Sequence, residues 1–392
     1  MQQYVSVRGT EFRLGSQAFR VIGMNFWSAM NLGCTQEKHG DVARLGRELD
    51  RLSALGVNTL RILGGSEGPT SEPYRIQVPL MPEMGQYDPE VWLGLDRLLV
   101  EMGKRNMKAI VVLSNFWFWS GGFGQFLQWA TGQSIPYDWD TFEDWCVDFY
   151  RQPLAQEYYL KHVEAVITRV NQVSGVKYSE EPTVMAWELA NEPRQAKSGW
   201  VREVGGLIRR LAPSQLIALG QEAIAGKEDF LEVHGVEEID FSTLHIWVQN
   251  WGIYDPTNGT EQHLRETVDW ALSRYRDVAS WAEELKKPLV LEEYGMARDG
   301  WLPNQGIYDP DTPTSNRDRY YQALMDETVD LMKKKKSMGQ MLWSWAGEGR
   351  PNDDEPRWLG DPPHEPPGWY SIFDSDETTL KLIQEHVRKA LS

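Results

Sequence analysis

Short runs of consecutive apolar residues alternate along the chain with longer segments whose apolar residues recur every three or four positions. The runs at 19–27, 59–63, 108–116, 184–192, 215–222, 241–248, 288–295 and 339–346 predict strands. Leu45, Leu49, Leu52 and Leu55 share one helical face. The same spacing predicts helices over 41–56, 88–106, 154–172, 199–211, 227–238, 267–287, 314–336 and 377–391. Gly56 stands where a C-cap belongs. The start of the chain reads differently. Val5, Val7, Phe12 and Leu14 alternate with polar neighbours, and Gly9 and Gly15 supply turns, which predicts a hairpin within residues 1–18.

Eight strands alternating with eight helices predict a parallel sheet closed into one (β/α)8 TIM barrel spanning 1–392. The alternative is a doubly wound open sheet, but no G-x-G-x-x-G follows the first strand. No Pro/Ser linker, low-complexity segment or internal repeat divides the chain, and the lysine run 333–336 reads as a solvated helix end. The long connections, 64–87, 117–153, 247–266, 296–313 and 347–376, all follow strands, whereas those entering strands are expected to be short. In a barrel this places the long loops, and the chemistry, at the strands' C-terminal ends.

Composition narrows the chemistry. With 40 Lys and Arg against 57 Asp and Glu the net charge is −17, which argues against nucleic acid or an anionic membrane as partner. No apolar run reaches membrane-spanning length. The first residues lack a basic-then-apolar leader, so the expectation is a cytoplasmic protein, or a secreted one whose leader precedes this numbering. Cys34 and Cys146 are too few for a cysteine-built metal site; free thiols and a single pair both remain open. The 18 tryptophans are the unusual feature. Trp117, Trp119, Trp129, Trp139, Trp247, Trp251, Trp301, Trp358 and Trp369 lie in polar, glycine-rich stretches, where they either pin loops or line a cleft for sugars.

Two strands end in carboxylates: Trp187-Glu188-Leu189-Ala190-Asn191-Glu192-Pro193 and Leu289-Val290-Leu291-Glu292-Glu293-Tyr294-Gly295. A carboxylate after an apolar run is costly to bury unless it is paired or used. Fourth and seventh strands are expected to face each other across the barrel, with carboxyls about 5 Å apart, the spacing of a retaining glycosidase. Within the doublet, Glu293 is the candidate if Leu289 and Leu291 point into the barrel, because side chains alternate along a strand.

These segments, with Gly23-Met24-Asn25-Phe26-Trp27, Asn58-Thr59-Leu60-Arg61 and Ser114-Asn115-Phe116-Trp117, resemble glycoside hydrolase family 5, in particular its β-mannan-active subfamily, over nearly the whole chain. The resemblance implies a (β/α)8 fold and a retaining mechanism, with Glu192 as acid/base and Glu293 as nucleophile. It further implies that Asn191 binds the sugar 2-hydroxyl, Arg61 keeps the nucleophile ionised, His245 lies near the acid/base, Trp343 forms the platform beneath the −1 sugar, and Trp117 lines the cleft. Glu192 is expected to have a raised pKa. The sequence departs from the pattern at Trp247, where many endo-mannanases carry Tyr.

Each residue also has a plainer reading: Arg61 pairing with Glu188, His245 as a core histidine, Trp343 as packing. Gly64-Gly65-Ser66 resembles a phosphate loop only weakly, and no metal or other cofactor is implied. The expected function is hydrolysis of β-1,4-mannosidic linkages in mannan or manno-oligosaccharides. Trp119-Ser120-Gly121-Gly122, the insertion through Trp145 and the Pro-rich 350–369 segment resemble exo-acting β-mannosidases. An endo-β-1,4-mannanase is the alternative. From other classes, a non-catalytic glycan-binding barrel would keep the aromatics without both carboxylates, and a barrel isomerase or lyase would need a metal, phosphate site or Schiff-base lysine.

Overall fold

The structure, a computed structural model, describes residues 3–36, 39–299, 308, 310–353 and 358–392. Of the sequence expectations, Trp301 and parts of the loops 296–313 and 347–376 lie outside these residues. β1 (Val5–Arg8), β2 (Glu11–Leu14) and β3 (Gln17–Phe19) form an antiparallel sheet, so the expected hairpin gains a third strand. Arg20 then separates β3 from β4 (Val21–Asn25), splitting the predicted 19–27 run.

The barrel strands follow in order: β4, β5 (Thr59–Leu63), β6 (Lys108–Val112), β7 (Val184–Glu188), β8 (Leu216–Ala218), β9 (Ser242–Ile246), β10 (Leu289–Tyr294) and β11 (Gly339–Leu342). All pair in parallel with their neighbours; β11 joins β4, and an Ala218–Phe241 bridge closes the ring between β8 and β9. β7 and β10 are therefore separated only by β8 and β9, closer than a face-to-face placement.

The helices form where the apolar spacing predicts, and their ends have identifiable causes. The Asp41 carboxylate accepts from Arg44 N–H at the start of Val42–Leu55, and Gly56 ends that helix at φ +87°, a conformation glycine adopts without a Cβ penalty. Asp88 caps Pro89–Lys104, with Pro89 in the first turn. Among the described residues three α-helices escape the spacing argument: the single turn Ala29–Leu32, and Gly122–Thr131 and Trp139–Cys146 inside the long loop after β6. Their short length and the aromatic and glycine content of the loop hide the period.

The connections entering strands are short, with one exception. Residues 168–183 precede β7 as a long excursion, tied to buried Asp96 by Arg169 (2.5 Å), the Tyr178 hydroxyl (2.6 Å) and the Asn171 amide (2.9 Å). No helix among the described residues is long and apolar enough to cross a membrane. Cys34 and Cys146 are both buried free thiols.

The N-terminal sheet stoppers the end of the barrel opposite the long loops. Val5, Phe12 and Phe19 join Val21, Ile110, Met185, Leu216, Phe241, Val290 and Met341 in one buried cluster, and Phe12 meets Phe241 edge-on at 5.2 Å. Phe12→Ala should destabilise the fold by about 3–5 kcal/mol, the usual cost of emptying a buried aromatic site. Denaturant unfolding should report this loss, while the catalytic rate per folded molecule at low temperature stays unchanged.

Candidate active site

The strand ends converge on Arg61, the third residue of β5. Its guanidinium is fully enclosed and spends all five of its N–H donors inside the barrel. Nε donates to Glu188 Oε2 (2.8 Å) and Nη2 to Glu188 Oε1 (2.6 Å). Nη2 also donates to Asn191 Oδ1 (2.8 Å), and Nη1 to Asn25 Oδ1 (3.1 Å) and Glu293 Oε1. The two sequence readings of Arg61, partner of Glu188 and partner of Glu293, hold at once. The bidentate pair fixes the fork, and the free edge reaches the second carboxylate.

How Glu293 reaches the barrel interior corrects the alternation argument. Leu289 and Leu291 pack in the large cluster that carries the helices' apolar faces, while Val290 belongs to the barrel floor. Simple alternation would therefore point Glu292 inward and Glu293 out. The register against β9 shifts between Leu291, opposite Leu244, and Glu293, opposite His245. This β-bulge inserts Glu292 as an extra residue and turns both carboxyls to the interior.

Glu192 is positioned by backbone as well as side chain. Pro193 disfavours the right-handed helical conformation at the preceding residue, and Glu192 takes φ +50°, uncommon for anything but glycine. Its N–H donates to Gly220 O at 2.8 Å. At Gly220, where φ is +84°, a Cβ would lie 2.1 Å from Ala190 O, so only glycine allows the chain after β8 this close.

The Glu192 carboxylate accepts three hydrogen bonds: Trp117 Nε1 to Oε2 (2.6 Å), and Trp247 Nε1 (3.3 Å) and His245 Nδ1 (2.7 Å) to Oε1. Trp247, at the position where the sequence departs from the endo-mannanase tyrosine, thus serves Glu192. His245 Nδ1 also lies 3.5 Å from Glu293 Oε2. Glu192, His245 and Glu293 offer oxygen and nitrogen atoms within 4.8 Å of one another. The Arg61 guanidinium already supplies the positive charge that a cation would bring to Glu293.

The protonation pattern reverses one expectation. Burial opposes the charge on Glu192, but His245, Arg194 and Trp117 outweigh it and hold the carboxyl below its usual range, not above. Burial, with the Glu192 charge beside it, holds Glu293 above its usual range, and His245 and Arg61 offset only part of that rise. Burial alone would neutralise His245, yet Glu293, Glu192 and Glu292 raise it to about 10. Among these groups the shared proton therefore rests on the imidazole.

The surrounding cleft has a volume of about 490 Å³. Trp117, Trp119, Trp139, Trp247, Trp251, Trp343 and Trp369 line it, which places six of the nine polar-stretch tryptophans at the site. Trp358 lines a smaller pocket beside it, and Trp129 packs half-buried against the core. Trp343 forms the floor, edge-on to Trp247 at 5.9 Å and to Trp119 at 6.4 Å, with its Nε1 unpartnered. Trp119 stacks on His364 at 6.0 Å, so the loops after β6 and β11 meet in a wall. Asn191 keeps its amide within the cleft rim, donating to Asn115 Oδ1 at 3.1 Å.

Sequence reasoning missed Arg194, Glu222, Asn250, His364 and Glu365, all at the cleft. Glu222 ends a predicted strand run, the same signal that singled out Glu192, and is held bidentately by Arg194 (2.5 and 2.9 Å). Nothing in the sequence marks His364 and Glu365, which the loop fold alone brings to the site.

A family model described as GH family 5 beta-mannosidase-like matches residues 2–391. The crystal structure of a glycoside hydrolase family 5 mannosidase from Rhizomucor miehei is 38% identical, with a TM-score of 0.95 and coverage of 99% of this chain and 97% of that one. An endo-beta-1,4-mannanase from Thermotoga petrophila is 26% identical with a TM-score of 0.70, covering 95% of this chain and 77% of that one. Among curated proteins, mannan endo-1,4-beta-mannosidase 1 of Solanum lycopersicum is 26% identical over 99% of this chain and 92% of its own length.

The His245 charge should be visible in stability. A histidine whose folded pKa is raised stabilises the fold fully below its unfolded pKa, about 6.5, and loses that contribution as pH climbs through the folded value, here about 10. The stability difference between wild type and His245→Gln should therefore be largest near pH 6 and shrink steadily towards pH 10 in denaturant titrations. A difference that is flat across that range would mean the imidazole is neutral.

Proposed function

Because the chain belongs to glycoside hydrolase family 5, we propose that it is a retaining β-mannosidase with Glu192 as general acid/base and Glu293 as nucleophile. The observation that carries the proposal is an oxygen of Glu192, in the turn after β7, and one of Glu293, at the end of β10, within 4.8 Å of each other. Inverting enzymes leave roughly 6.5–9.5 Å for a water between their carboxyls, retaining ones about 5 Å. Glu293 attacks the anomeric carbon while Glu192 protonates the leaving oxygen; Glu192 then takes a proton from the water that releases the sugar. Arg61 keeps Glu293 ionised through their direct ion pair. Asn191 offers its amide to the sugar 2-hydroxyl, and the Trp343 face supports the −1 ring. Trp117 and Trp247 hold Glu192 in place.

Mannose as the glycone, and action on manno-oligosaccharides, are supported by the mannosidase likeness and by a Rhizomucor miehei mannosidase in complex with mannosyl-fructose, 37% identical with a TM-score of 0.96. Exo action is supported by the Trp119–His364 wall and by Pro362 and Glu365 standing at the cleft's edge. The backbone likeness leans the same way, with TM-scores of 0.95 to the mannosidase and 0.70 to the endo-mannanase. The endo reading keeps the same catalytic pair and is favoured by the curated endo-mannanases that match almost the full chain.

Glu293→Ala should lower turnover by many orders of magnitude, and azide should restore part of it as an α-mannosyl azide identified by NMR. Glu192→Ala should slow natural oligosaccharides far more than activated aryl mannosides, because a good leaving group needs little protonation, and azide should there yield the β-azide. Equal damage to both substrate types rejects the acid/base assignment.

The wall generates a second test. Mannotetraose should lose small units stepwise from its non-reducing end, and the viscosity of polymeric mannan should fall little as reducing sugar accumulates. Collapse of viscosity ahead of reducing sugar would overturn the exo reading and leave the catalytic pair untouched.

A further inference from the structure

Two buried polar groups at the bottom of the site have no hydrogen-bond partner, and they face each other. Neither oxygen of Glu292 is bonded, nor is His245 Nε2. Both side chains are fully enclosed, and Glu292 Oε2 lies 3.8 Å from that nitrogen. Buried polar atoms are rarely left unpaired, and hydrogen bonds that are long in an empty active site often close when substrate binds. The opposite ring nitrogen, Nδ1, is the one bonded to Glu192. The imidazole thus stands between Glu192 and Glu292, one carboxyl at each nitrogen.

We propose that Glu292 is a positioning residue for the acid/base: it holds the proton on His245 Nε2, so that the Nδ1 proton is the one passed to Glu192. The inference rests on the assignment of Glu192 as the acid. Before substrate binds, His245 is the charged partner and Glu192 the carboxylate. On substrate binding the Nδ1–H bond breaks and an O–H bond forms on Glu192 Oε1. The imidazole is left neutral, with its remaining proton on Nε2 facing Glu292. Glu192 gives its proton to the leaving oxygen. In the second half-reaction it takes one from the attacking water and returns it to Nδ1. No proton is gained or lost over the cycle beyond those of the water and the released sugar. Without the Glu292 negative charge beside Nε2, the tautomer with its only proton on Nδ1 gains on the productive one, and more of that proton stays on the ring.

The bulge in β10 is what makes this arrangement possible, because it brings Glu292 and Glu293 into the barrel together. The charged groups facing Glu292 are Glu188 from β7, Arg61 from β5 and His245 from β9, with Glu293 beside it on its own strand. His245 also feels Glu192 and, at longer range, Glu222, itself paired with Arg194. Burial and Glu188 push the Glu292 carboxyl up to about 7, against the pull of His245 and Arg61. It therefore carries charge in the upper part of the range where His245 is still protonated.

The test is Glu292→Gln, an isostere without the charge. With mannobiose, kcat/KM should fall about ten- to a hundredfold, part of the usual acid–base contribution, and with 2,4-dinitrophenyl β-mannoside it should fall much less. Removing a negative charge lowers the His245 pKa, so the basic limb of the mannobiose pH profile should move to lower pH. Glu292→Asp should recover part of both effects. Equal losses on the two substrates with an unmoved basic limb would overturn the relay.

Nitrogen-15 NMR of histidine-labelled wild-type enzyme gives a second reading that needs no variant. His245 should carry protons on both nitrogens at pH 6 to 8, and an unprotonated Nε2 there would overturn the proposal. Glu192→Ala, run alongside, separates the two levels. If it lacks leaving-group dependence, the acid assignment fails; if it shows that dependence while Glu292→Gln does not, only the relay fails.

Discussion

A guanidinium with no exposure to water has to find a partner for every proton it carries, and the active-site end of this barrel is arranged around that requirement. Removing one partner of a buried charge costs far more than a surface ion pair contributes. Asn25, Glu188, Asn191 and Glu293, which satisfy Arg61, come from β4, from β7 and the turn after it, and from β10. The same bonds that neutralise the charge lock the ends of these strands in mutual register. The carboxylate separation follows from this locking: Glu293 is held directly by Arg61, and Glu192 follows the Asn191 that Arg61 also grips.

Around this fixed centre sits a second, softer system. Glu192, His245, Glu293 and Glu292 share fewer protons than they have sites for, and the resting distribution puts charge on the imidazole. A carboxyl that accepts three hydrogen bonds is a poor acid in isolation. It becomes a useful one when the neighbouring imidazolium can refill it across 2.7 Å. Raising the acid's own pKa by burial, the expectation from sequence, is one way to hold a proton ready; on the proposed relay the proton is kept one bond away instead.

The barrel, its eight helices and the two carboxylates were legible because they follow local rules: uninterrupted apolar runs for buried strands, three- and four-residue spacing for helices, charge at a strand end for chemistry. The failures have physical causes. Alternation along β10 brought Glu293 to the interior on the wrong premise, since a bulge has no period and leaves no mark in Leu289–Tyr294. Gly122–Thr131 and Trp139–Cys146 are short helices whose faces are aromatic, and aromatic residues serve loops as readily as helices. His364 and Glu365 belong to a proline-rich loop whose path is set by contacts such as Gly368 N–H and the Ser371 hydroxyl to buried Asp361. No periodicity foretells such contacts. Trp117 and Trp247 were recognised as cleft residues, but their role as donors to Glu192 depends on ring orientation, which only the fold supplies.

The packed barrel, closed below by the N-terminal sheet, leaves the chemistry to one end. The Phe12–Phe241 contact lies at one end of the barrel, and the described cleft opens at the other, among the loops that follow the strands. On the double-displacement reading, the departing sugar and the incoming water share that passage, and the water reaches the anomeric carbon from the side the sugar has just left. The order of events is then imposed by crowding as much as by bonding, because hydrolysis waits for the aglycone to clear. Any other hydroxyl-bearing molecule that lingers in the mouth stands where the water must stand and competes with it for the sugar. On that reading the balance between hydrolysis and transfer depends on how quickly the cleft empties.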